Sequence, residues 1–75
     1  MNWHKHISVD PAICSGRACV AGTRVTVTSV LDNLADGLDA AEIMRSYPPL
    51  TDADVRACLA YAAALAHDEV FSLAA

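Results

Sequence analysis

Seventy-five residues with five basic and nine acidic side chains, a net charge of −4 and a hydrophobic share of 55% describe one small domain with room for one thin core. The acidic balance opposes non-specific attraction to nucleic acid phosphates. No apolar run approaches the roughly 18 residues that span a bilayer, and Met1-Asn2-Trp3-His4-Lys5-His6 lacks the apolar stretch of a signal peptide, so no membrane partner is expected and the expected location is the cytoplasm.

Fifteen alanines against four aromatic residues suit close helix packing. Apolar surface beyond what one thin core absorbs is expected in a subunit interface, so the composition predicts a homodimer, a protein partner or both. Cys14, Cys19 and Cys58 are odd in number in a chain without an export signal, which predicts free thiols.

Along the chain, Ile7-Ser8-Val9-Asp10 alternates apolar and polar residues, and Cys19-Val20-Ala21-Gly22-Thr23-Arg24-Val25 is rich in small and β-branched ones. With the turn chemistry of Pro11 and Gly16 between them, they predict an antiparallel hairpin over residues 7–25. A lone hairpin is marginal in water, so it must pack on the rest of the chain.

Val27, Val30, Leu31 and Leu34 fall at helical spacing, with Thr26 or Thr28 as the N-cap and Gly37 as a left-handed stop. Asp39 and Glu42 form a capping-box pattern ahead of Ala40, Ile43, Met44 and Tyr47, which predicts a short helix over 40–47. Pro48-Pro49 ends it, because neither proline donates a backbone hydrogen bond. Thr51 and Asp54 then open a third helix running from Asp52 to about Ala66.

On that helix Val55, Cys58, Leu59, Ala62, Leu65 and Ala66 are expected to face the core. Ala57, Ala60, Tyr61 and Ala64 are expected on a second, nearly uncharged face, with Ala57, Tyr61 and Ala64 open to another chain. The tail, 67–75, either continues the helix or forms a short peptide that docks through Val70, Phe71 and Leu73. The expected fold is therefore mainly α: one domain, with the hairpin at 7–25 and a three-helix helix-turn-helix core at 27–66.

Helix, short turn, helix is the arrangement that places a recognition helix in the DNA major groove. Here that helix would begin at Thr51, and its first turns offer one guanine-reading side chain, Arg56, beside Asp52 and Asp54. The basic groups His4, Lys5, His6, Arg17 and Arg24 lie in the first third, whereas seven of the nine acids lie beyond residue 35. Lys5, Arg17, Arg24 and Arg56 are accordingly the candidate DNA contacts, with a solvated N-terminus as the alternative. His4, His6, Cys14 and Cys19 are zinc-ligating types, but Cys-x4-Cys matches no tight knuckle and no metal is expected. No nucleophile, base and orienter or convergent carboxylates stand out, so neither enzyme activity nor a small-molecule substrate or cofactor is expected.

Taken together, Ile7-x-Val9-Asp10-Pro11, Cys14-x-Gly16-Arg17, Gly22-Thr23-Arg24-Val25-x-Val27, Val30-Leu31, Ala35-x-Gly37, Glu42-Ile43, Tyr47-Pro48-x-Leu50-Thr51, Asp54-Val55 and Leu59-x-Tyr61-Ala62 resemble the bacterial family called domain of unknown function 433. The resemblance covers roughly residues 7–65. It departs from the family pattern at Ala18, where proline is favoured, and at Ala21, where a basic residue is common. It implies a homeodomain-like or winged helix-turn-helix fold, often encoded beside a PIN-like ribonuclease, and hence a VapB-like antitoxin. On that reading the protein neutralises a PIN-like toxin and represses its own promoter DNA with it; the alternative is a stand-alone helix-turn-helix transcriptional regulator. Arg24 either pairs with Asp10 across the hairpin or reaches outward to DNA or to the acidic active site of a toxin.

Overall fold

The structure, a computed structural model, describes residues 1–68. Strand β1 (Ile7–Val9) pairs antiparallel with β2 (Ala18–Val20) in the register Ile7 to Val20, Ser8 to Cys19 and Val9 to Ala18. Three helices follow: α1 (Val27–Ala35), α2 (Ala40–Ser46) and α3 (Asp52–Asp68). The fold is mainly α with a short N-terminal hairpin, as the sequence predicts. No helix among the described residues is long and apolar enough to cross a membrane.

Each helix begins where a side chain answers its orphan N–H groups. Of the two candidate caps for α1 it is Thr26 that serves, its hydroxyl accepting from the Ser29 N–H at 3.1 Å. At the other end Gly37, at φ +98°, turns left-handed, so that its N–H bonds the Leu34 carbonyl and the Leu38 N–H bonds the Asn33 carbonyl. That pair of bonds is the Schellman closure, and it brings Leu38 back against the core. The Asp39–Glu42 capping box is complete at 2.8 and 3.1 Å. Thr51 and Asp54 exchange the same reciprocal bonds, at 3.2 and 3.0 Å, to start α3.

The core gathers Ile7 and Val20 from the hairpin, Val27 and Val30 from α1, Ile43 from α2, Leu50 from the turn and Val55, Ala57 and Cys58 from α3. Ile43, at 0% exposure, is the largest of the fully buried side chains.

The structure departs from the sequence expectation in four places. The second strand stops at Val20, because Gly22 turns left-handed at φ +78° and starts a tight return. There the Thr23 hydroxyl donates to the Val20 carbonyl at 2.8 Å and accepts from the Val25 N–H at 3.0 Å. The N-terminus is no free basic arm: Trp3–Lys5 forms a 3-10 turn, and the Trp3 ring meets Tyr61 edge-on, centroids 5.0 Å apart. Helix α3 runs to Asp68, two residues beyond the expected end near Ala66, so of the two alternatives for the tail its first two residues take the helical one.

Lastly, α3 is rotated relative to the expected faces. Ala57, read as an interface residue, is wholly buried, and Tyr61 packs inward under Trp3, whereas Leu59 and Leu65, read as core, are each 48% exposed. Alanine and tyrosine carry little directional signal of their own, and contacts from the N-terminal turn decide which side faces in.

Ile43→Ala removes a wholly buried side chain at the point where the helices meet, and should lower unfolding stability by about 3 kcal/mol, within the range for buried isoleucine truncations. Urea titration should show an earlier midpoint at an unchanged slope.

Candidate functional site

The hairpin's loops build a concave surface. Asp10 starts the first loop by accepting the Ala12 N–H on Oδ1 at 2.8 Å, and its carbonyl takes the Ile13 N–H at 2.9 Å. The chain then makes a left-handed turn through Cys14, Ser15 and Gly16, at φ +53°, +56° and +80°. Two non-glycine residues in that region cost strain of order 1 kcal/mol each, which the surrounding contacts must hold.

One such contact is the Cys14 thiol, which donates to the Arg24 carbonyl at 3.4 Å and ties the first loop to the Gly22–Arg24 return. Between the two loops lies a groove of about 330 Å³ lined by Ser8, Ile13, Gly22, Thr23 and Arg24. Ile13 is half-buried there, and Ser8 and Arg24 bring a hydroxyl-bearing and a guanidinium-bearing residue to the same groove.

Arg24 is exposed and makes no ion pair among the described residues. It does not pair with Asp10, whose carboxylate is turned to Ala12 instead. Arg56 behaves differently: its Nε lies 2.8 Å from Asp52 Oδ2 one turn back on α3, so the helix partly neutralises its own candidate base reader.

The four candidate DNA contacts lie on different elements. Lys5 precedes the open end of the β ladder, Arg17 sits at its loop end opposite Asp10, Arg24 lines the groove and Arg56 is on α3. Among the interface candidates Ala57 and Tyr61 are internal, Ala64 is partly buried, and Val70, Phe71 and Leu73 lie outside the described residues. Sequence reading missed Ser8 and Ile13 as groove residues and Val9, Leu59 and Leu65 as exposed apolar ones. Only Val9 carried a signal, as an apolar residue beside the polar Asp10-Pro11 turn.

The remaining polar chemistry is structural. His6 Nδ1 donates to Asp54 Oδ1 at 3.0 Å, joining the start of β1 to the first turn of α3, while His4 turns to Asn2 Oδ1. Burial works against the Asp54 charge, but the Thr51 N–H and the His6 ring outweigh it and hold the carboxyl below its ordinary range. Cys14, Cys19 and Cys58 are free thiols. Burial pushes Cys58 up to about 11; it does the same to Cys19, where the neighbouring Cys14 adds to the effect.

These features define a small, mainly helical domain with a groove between its hairpin loops. The chain belongs to the family described as protein of unknown function DUF433, whose sequence profile matches residues 7–62. No curated protein and no solved structure matches it.

Two outcomes follow. Because the folded-state pKa of Asp54 lies below the unfolded value of about 3.9, the ionised carboxylate stabilises the fold above that pH, and the contribution disappears as pH falls through the folded pKa. Denaturant titrations of wild type and Asp54→Asn should thus differ fully above about pH 5 and converge under acid. In a mass-spectrometric alkylation time course at neutral pH, Cys14 should react well before Cys19 and Cys58, which are 0% exposed and hold almost no thiolate.

Proposed function

We propose that this domain is the antitoxin of a toxin–antitoxin pair, a cytoplasmic homodimer that binds a PIN-like ribonuclease toxin through the loop groove and represses its own promoter as the complex. The observation that carries the reading is the pairing state of the two arginines. Arg24 lines a groove and is unpaired among the described residues, whereas Arg56, the base reader a recognition helix would need, is held by Asp52. A guanidinium without an ion pair is suited to enter an active site made of carboxylates, since its planar fork pairs with them bidentately.

The second reading, a stand-alone DNA-binding regulator, draws support from the α2, tight turn, α3 connection, with the Leu50 N–H closing the turn on the Tyr47 carbonyl at 2.9 Å. The acidic first turn of α3 weighs against it, because Asp52 and Asp54 would face phosphates.

Co-expression with the adjacent reading frames and affinity purification through a salt wash tests the proposal. Recovery of a small nuclease with wild type and with Arg56→Glu, but a loss of at least ~30-fold in affinity with Arg24→Glu, is the expected result. Retention of the nuclease by Arg24→Glu overturns the groove's role. Absence of any nuclease, together with salt-dependent binding of upstream DNA by the chain alone, favours the regulator instead.

A further inference from the structure

Two of the free thiols, Cys14 and Cys19, belong to the hairpin, and the fold brings them together. Arg17 links their backbones: its N–H bonds the Cys14 carbonyl at 3.1 Å, and its own carbonyl takes the Cys19 thiol at 3.5 Å. Both residues also meet the return that follows Gly22. Cys14 donates its thiol to the Arg24 carbonyl at 3.4 Å, and Cys19 is bridged antiparallel to Thr26 just beyond it. The two sulfurs lie within hydrogen-bonding reach of each other. Cys58 belongs to α3 and takes part in none of these contacts.

The pair is asymmetric in access. Cys19 is 0% exposed, so a reagent in solvent has no path to its sulfur, whereas Cys14 is half-buried in the first loop. An open thiol beside a buried one is the arrangement of an attacking and a resolving cysteine. The backbone at Cys14 is left-handed, at φ +53°, a conformation that a non-glycine residue keeps only where its surroundings hold it. Closing a ring between cysteines so near in sequence constrains the unfolded chain little, which argues against a structural staple and for a reversible change.

We propose that Cys14 and Cys19 form a reversible intramolecular disulfide by exchange with a small-molecule disulfide. The Cys14 thiolate attacks one sulfur of the reagent; a bond to Cys14 Sγ forms, the reagent's S–S bond breaks and one thiolate leaves. The Cys19 sulfur then attacks Cys14 Sγ and expels the second thiolate. The protons lost by the two cysteines end on the two released thiolates, so the protein dithiol is oxidised and the reagent reduced to a pair of thiols. Run backwards, the same exchange restores the dithiol. In the oxidised form Cys14 has no hydrogen left for the Arg24 carbonyl, so the bond that ties the two loops is lost. None of these steps depends on the antitoxin reading.

The test adds oxidised glutathione to the full chain, quenches with acid, blocks the remaining thiols and maps tryptic peptides without reductant. Trypsin cuts after Lys5, Arg17 and Arg24, so Cys14 and Cys19 leave on separate peptides, 6–17 and 18–24. Those two peptides should stay joined until dithiothreitol is added, in a single chain that carries no glutathione and has Cys58 blocked as a free thiol. Cys19→Ala should instead hold glutathione on Cys14, at ~10-fold or more above wild type, because nothing resolves the adduct. Cys58→Ala should leave the link unchanged.

A wild type whose Cys14 keeps glutathione without forming the link overturns the proposal, as does a Cys14 that does not react. So does a link from Cys14 to Cys58 or to a second chain. Should Cys19→Ala fail to fold, wild type compared with and without urea decides. At equilibrium the ratio of linked pair to glutathione adduct should be ~10-fold or more higher in the folded chain, since the fold raises the effective concentration of one thiol at the other; equal ratios overturn the proposal.

Discussion

The Asp54 carboxylate holds two parts of the molecule in one place. One oxygen takes the Thr51 N–H and starts α3; the other takes the His6 ring at the head of β1. A helix cap alone fixes where a helix begins but leaves its rotation undetermined. By adding His6 to the cap, the structure fixes which side of α3 turns toward the hairpin, and Trp3 packing on Tyr61 two turns later holds the same side. Val55, Ala57 and Cys58 are buried as a consequence, and Leu59 and Leu65 are left outside.

With the hairpin anchored on α3, its loops are free to take conformations that a lone hairpin would not sustain. The left-handed turn at Cys14–Gly16 and the Gly22 return approach each other and are joined by the Cys14 thiol on the Arg24 carbonyl. Strain in the first loop is thereby supported by a contact to the second, and the groove between them is a feature of the pair. Removing either loop's geometry would remove the groove, although no core residue would change.

The distribution of charge separates the two ends of the molecule. Lys5, Arg17 and Arg24 belong to the N-terminal turn and hairpin loops and Arg45 and Arg56 to the helices, which carry most of the acids at caps and exposed turns, where Asp39, Glu42, Asp52 and Asp54 favour the helix N-termini. On α3 that usage is stabilising for the helix and unfavourable for a polyanion.

What the sequence determined by itself is local. The caps at Thr26, Asp39 and Thr51, the stop at Gly37 and the break at Pro48-Pro49 depend on bonds spanning three to five residues, so spacing and residue type suffice to read them. Alternation likewise located β1, and the family's motifs covered the matched region. Only the tertiary structure decided the rotation of α3, the packing of the N-terminal turn and the meeting of the two hairpin loops. Each of these rests on partners far apart in the chain, such as His6 with Asp54 or Trp3 with Tyr61. An alanine-rich helix with apolar residues on several sides has no single face that periodicity can select, so long-range contacts make the choice.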